Sequence, residues 1–282
     1  MTPPELGTEI ERDDDALPDN LLGAVTQAGE ATAEAIKSGR KRCVAELLIP
    51  ELWDPTSGAV MAEEGDQLRW WELAREFIER LGAAHGGNVK AVFPDAGVAA
   101  MLKNRWPDAP FAIASLDDRE PMSADDSLVV ITCPDPPSLK ATKGLADNAT
   151  TQDIPVVMFN PRLASGDVGI GVSVRRMRSE FLSTFLTSYS IYPLTAPDGS
   201  VFRCFPNEWQ VFLADPMAPG RYQLVAQRSA RPAGEGLDNI IDDFFGVGAE
   251  GEDNEEGSAG AGLANVGKAM KSMQRFMKQL SQ

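Results

Sequence analysis

The chain has 282 residues, 43% of them apolar and 24% charged, with a formal charge of −16. That length supports one large core or two small ones, and the acidic excess excludes broad phosphate neutralisation of nucleic acid, which needs a continuous basic surface. No run reaches the roughly 20 apolar residues of a membrane-spanning helix, and Cys43, Cys133 and Cys204 lack CxxC spacing, so they read as reduced strand thiols, not as a zinc or disulfide framework.

Residues 1–17 are acid-rich with a single arginine and read as a solvated tail. Their charge is wrong for a secretory signal and too acidic for a transit peptide. Asp19, after Pro18, is the expected cap of a helix that runs to Gly39, with Leu21, Leu22, Val25, Ala28, Ala35 and Ile36 on one face. Residues 40–50 read as a strand ending at Pro50, and residues 67–81 return to helical spacing, closed by Gly82.

A repeating pattern follows: strand 88–95, helix 96–106, strands 109–116 and 127–133, helix 138–147, strand 154–160. Short apolar runs separated by helical segments predict an α/β three-layer sandwich with a mainly parallel sheet. Its carboxyl edge, the usual ligand-binding edge of such sheets, would gather residues 94–95, 134–137 and 160–162. After a helix at about 175–187, the runs 189–195, 200–206, 208–215 and 221–227 are separated by turn residues and predict antiparallel hairpins that extend the sheet or fold over it. A last helix, 237–245, ends at Gly246. The domain therefore spans 18–245.

Residues 246–262 are rich in Gly and acids and read as a linker. Over 263–282, Lys268, Lys271, Arg275 and Lys278 form one stripe at helical spacing, and Met270, Met273 and Met277 fill the opposite one with Leu263, Val266 and Leu280. This detached amphipathic helix has three readings: it docks on a partner protein, lies on an anionic membrane surface, or folds back on its own acidic domain.

Few constellations carry chemistry. Arg175, Arg176 and Arg178 follow GDVGIG near a helix start, which suits a phosphate, but the spacing is not that of a P-loop or dinucleotide fingerprint. The other reading pairs them with domain acids or stacks them on Tyr189, Tyr192 and Trp209. His85, the single histidine, lies in a glycine-rich turn and reads as solvent-facing. The neighbouring acids Asp117–Asp118, Asp125–Asp126 and Asp242–Asp243 read as solvated loop edges, and Asp95 as the cap of the next helix. Trp53, Trp70, Trp71, Trp106 and Trp209 either pack in the core or, with Arg203 and Arg221, build a protein-recognition face. No catalytic residue, metal ligand or cofactor is assigned.

PELW at 50–53, VFPDAGVAAML at 92–102, NPRL at 160–163 and the aromatic–arginine stretch 166–231 resemble a plant, algal and cyanobacterial domain-of-unknown-function family found mainly in plastids. That family includes a low photosystem II accumulation protein and a domain appended to a chloroplast adenylate kinase. The resemblance covers roughly 18–243 and carries no catalytic signature. It implies a chloroplast protein of the stroma or the stromal thylakoid face, with a photosystem or other thylakoid subunit as partner. The expected function is a non-enzymatic assembly or stability factor; the alternative is a nucleotide- or phosphate-binding domain with a regulatory or enzymatic role.

Overall fold

A computed structural model describes residues 12–48, 64–163, 177 and 179–246, with backbone alone for 64–68. The order is a 3-10 turn Asp13–Ala16, α1 (Leu21–Lys37), β1 (Arg42–Leu47), α2 (Glu64–His85), β2 (Val89–Phe93), α3 (Ala96–Arg105), β3 (Ala112–Ser115), β4 (Leu128–Thr132), α4 (Leu139–Thr151) and β5 (Val156–Phe159). A second 3-10 turn, Leu182–Thr184, leads into β6 (Leu186–Thr195), β7 (Asp198–Cys204), β8 (Trp209–Ala214), β9 (Tyr222–Arg228) and α5 (Glu235–Phe245). The strands form one sheet in the order β3-β2-β4-β5-β1-β6-β7-β8-β9. β3 to β6 in that row pair in parallel, and β7, β8 and β9 return antiparallel. The expected mixed sheet with an antiparallel extension is what the chain forms.

Strand alternation sorts the core into two layers. Cys43, Ala45, Phe93, Val130, Val157 and Phe159 pack with α1, α2 and α3 on the first face. Val44, Val92, Val129, Ile131, Val156 and Met158 pack with α4 and with Met177, Phe181 and Phe185 on the second. β4 and β5 are buried throughout, which is why LVVIT and VVMF are unbroken apolar runs. Phe77 of α2 stacks on Phe159 at 4.4 Å between ring centroids, tying the first helical layer to the sheet.

α1 begins at Asn20, whose side chain accepts from the Gly23 N–H at 2.9 Å; Asp19, the expected cap, lies one residue too early to reach that donor. Gly29 lets α1 approach α2 closely, since a Cβ there would sit 2.8 Å from the Arg80 Cβ. Asp95 does cap α3 through the Val98 N–H at 2.8 Å. The helix expected over 175–187 cannot reach its far end, because Leu186 already pairs with Cys43 of β1.

Three other expectations need correction. Residues 12–17, assigned by composition to a solvated tail, are anchored: Asp14 is 8% exposed and accepts from Arg221 Nε at 2.7 Å and the Tyr222 N–H at 2.8 Å. Asp126 is also buried, accepting from the Ser123 N–H at 2.7 Å with Lys90 Nζ at 3.6 Å. His85 ends α2 half-buried, with Nε2 3.2 Å from the Ser127 carbonyl.

The described residues up to Ile241 form one compact unit. Of the second, the described residues 242–246 finish α5, with the Phe244 and Phe245 rings edge to face. The expected linker beyond Gly246, the 263–282 helix with Lys268, Met270, Lys271, Met273, Arg275, Met277 and Lys278, and Arg175, Arg176, Arg178 and Trp53 lie outside the described residues. No helix among the described residues is long and apolar enough to cross a membrane.

Candidate functional site

Two places concentrate polar side chains on rigid strands. The first is a cross-strand row over the antiparallel half of the sheet. The register sets Glu46 of β1 opposite Ser190 of β6, and Ser190 opposite Arg203 of β7. One step on from the Phe202–Gln210 pair, Arg203 stands beside Trp209 of β8, which faces Arg228 of β9. Arg231, just past β9, folds back over the same row. Its guanidinium lies 5.4 Å from the Trp209 ring centroid and 5.9 Å from that of Tyr192, while Arg203 lies 5.5 Å from the Trp209 ring.

Arg231 Nη1 donates to Glu46 Oε2 at 3.1 Å, and Ser190 Oγ donates to the same oxygen at 3.3 Å. Burial still pushes the Glu46 carboxyl above its ordinary range, with Arg231 and Ser190 opposing it. Burial likewise lowers the Arg203 guanidinium, partly offset by Glu208. The Arg203 Nε is buried with no hydrogen-bond partner among the described residues. The row thus sets three arginines against Glu46 and Glu208, in a chain that is acidic overall.

Of the residues singled out in the sequence, Arg203 and Trp209 come together and Arg221 does not. Arg221 stands at the opposite end of the β8–β9 hairpin, where it holds Asp14 and Asp15. Trp209 is itself buried, as are Trp70 and Trp106, so these three are packing residues, and the exposed ring of the row belongs to Tyr192. Sequence reading missed Glu46, Ser190 and Arg231. The signal for Glu46 was an acid inside the apolar run CVAEL.

The second place is the carboxyl edge of β4, β5 and β1. β1 feeds α2 on the first face, whereas β5 feeds the connection carrying Met177 and Phe181 on the second. Outgoing chains that diverge from adjacent strands open a crevice between them. Asn160 sits at that divergence with a positive φ of 45°; its Oδ1 accepts from the Leu47 N–H at 2.6 Å and its own N–H donates to Ala45. Arg162 donates its backbone N–H to Pro134, so the PDPP and NPR loops do meet. The Arg162 guanidinium lies 5.1 Å from the Trp70 ring centroid, and Trp70 Nε1 donates to Cys133 Sγ at 2.8 Å. Burial pushes the Cys133 thiol up to about 12 against the pull of Arg162, so it is no nucleophile near neutral pH.

Among the described residues no group of His, Cys, Asp and Glu could hold a metal ion, and neither place pairs a nucleophile with a base. No curated protein matches this chain. The domain of unknown function DUF1995 matches residues 18–239, and the chain, of which that domain makes up most, belongs to this family.

Proposed function

We propose that this chain is a non-enzymatic assembly or stability factor for a photosynthetic membrane complex, photosystem II first among them, working at the stromal face of the thylakoid in the chloroplast. It binds its client through the Glu46–Ser190–Arg203–Trp209–Arg228 row, with Tyr192 and Arg231 over it. The observation that carries this reading is Arg203. Its Nε is buried without a partner among the described residues, while its guanidinium and that of a second arginine both lie against one indole ring. Two like charges over one ring are held in place by the fold, and preorganised Arg and Tyr side chains are the groups that anchor protein interfaces. The occupant that suits them is a client segment carrying carboxylates.

The compartment and the photosystem II process rest on the resemblance carried by PELW, VFPDAGVAAML, NPRL and the 166–231 stretch. In this reading Arg175, Arg176 and Arg178 add to the basic face, and the basic Met-rich helix of 263–282 makes a second contact with client or membrane, raising the local concentration of the first. Arg221 is reassigned to anchoring the N-terminal turn.

Native-gel fractionation of thylakoids with tagged protein tests this. The wild-type chain should co-migrate with photosystem II assembly intermediates, and an Arg203→Gln/Arg231→Gln variant should not, while keeping its far-ultraviolet circular dichroism. A wild-type chain that runs only as free monomer overturns the reading.

A further inference from the structure

The carboxyl edge of β4 and β5 carries three side-chain atoms that are buried and have no hydrogen-bond partner among the described residues: Thr132 Oγ1, Asn160 Nδ2 and Arg162 Nε. Their backbones are adjacent at the carboxyl edge of the sheet. Thr132 pairs with Phe159 in the register, Asn160 follows directly, and Arg162 is tied by its backbone to Pro134, two residues past Thr132. Thr132 is fully buried and Asn160 is 3% exposed. Buried polar groups are as a rule hydrogen-bonded, and leaving them unpaired in a protein interior is costly. Three such groups at one edge of the sheet call for a partner there.

The chemistry of the set is one-sided. Asn160 has already committed its Oδ1 to the Leu47 N–H, so only its amide donors remain. The Arg162 Nε is an obligate donor, and the Thr132 hydroxyl can donate as well. Arg162 has no ion pair among the described residues and is backed instead by the Trp70 ring. Asp135, the nearest acid in sequence, turns its carboxylate to the Ser138 N–H at 3.1 Å. An amide donor, a hydroxyl and a guanidinium without an ion pair among the described residues, backed by an indole, call for a ligand with several acceptor oxygens and a negative charge.

We propose that the carboxyl edge of β4 and β5 binds a small oxyanion, the carboxylate or phosphate group of a metabolite, through Arg162, Asn160 and Thr132. This site is separate from the client-binding row and does not depend on that row having a client.

Isothermal titration of the purified full-length chain with inorganic phosphate and, separately, with acetate tests the site. The expected result is saturable binding of one of them, weakened at least about tenfold by Arg162→Met, which removes a charge-assisted hydrogen bond. Thr132→Val, nearly isosteric, should weaken it several-fold and serves if Arg162→Met does not fold. Binding of phosphate alone identifies a phosphate ester as the ligand class, and binding of acetate alone a carboxylic acid. The proposal is overturned by the absence of saturable binding of either anion up to about 10 mM, the level at which a millimolar site would be nearly filled, or by binding that survives both substitutions.

Discussion

Replacing Asp14 by alanine separates two opposed readings of the N-terminal acids. As part of a solvated charge run, Asp14 is dispensable. In the fold it accepts from Arg221 Nε and Nη2, from Arg12 Nε and from the Tyr222 N–H at the start of β9. Asp14→Ala strands the Tyr222 N–H, a part-buried donor whose loss of partner costs about 1–3 kcal/mol. Arg221 is open to water and returns to it, so its lost ion pair adds little. At about 2–4 °C per kcal/mol for a domain of this size, a loss near 2 kcal/mol lowers the melting temperature by about 4–8 °C.

Asp13→Ala, an exposed neighbour, is the control and should melt with wild type. The pH course follows from Arg221, which with the Tyr222 N–H holds the Asp14 carboxyl well below the usual carboxylate range. A depressed folded value means stability that is fully present above the unfolded value of about 3.9 and is lost as pH falls through the folded one. The gap between wild type and variant should therefore be constant from pH 7 to about pH 4.5 and close only in stronger acid. Identical melting of Asp14→Ala, Asp13→Ala and wild type at pH 7 would refute the docked turn.

Gly29→Ala tests the close approach of α1 and α2. Helix propensity alone favours alanine by about 1 kcal/mol, but the new Cβ meets Arg80 Cβ at 2.8 Å and the Leu81 backbone N at 3.1 Å, and overpacking of that kind costs about 1–3 kcal/mol. Urea denaturation should show a net loss, and a gain in stability would contradict the contact. Glu46→Gln tests the part-buried carboxyl of the row. Because burial raises the Glu46 carboxyl above 4.5, the folded state holds that proton more tightly than the unfolded chain, and wild-type stability falls as pH rises past 4.5. The Gln variant should gain on wild type in melts between pH 4.5 and 7, and parallel curves would contradict the burial.

The sheet was legible because its central strands are buried on both faces and so read as unbroken apolar runs, LVVIT and VVMF, bounded by turn residues. The hairpins were legible because PDGS, PNE and PMAPG leave little but reversal of the chain. Local signals failed where two neighbours carry the same chemistry or where the partner is remote. Asp19 and Asn20 are both good caps, and only the geometry of the first turn chooses Asn20. Asp14 looks like one acid among many because Arg221 is 207 residues away. The helix expected over 175–187 ran too far, since pairing of Leu186 with β1 overrides the local preference there.

The candidate sites were legible in part. Arg203 and Trp209 stand out in FRCFPNEW, but alternation across five strands, not proximity in sequence, adds Glu46, Ser190 and Arg228 and sends Arg221 elsewhere. The strand-end crevice was visible as the PDPP and NPR loops. That Asn160 takes a left-handed backbone and spends its oxygen on β1 follows only from the fold.

The most direct test of client binding is site-specific photo-crosslinking in thylakoids. A photoreactive residue replaces Tyr192, which is 39% exposed beside the row, and, as control, Met217, which is 89% exposed in the β8–β9 turn at the far end of that hairpin. The account expects crosslinks from position 192 to photosystem II subunits or their assembly partners and none of these from position 217. Crosslinks that are the same from both positions, or absent from 192, would contradict it.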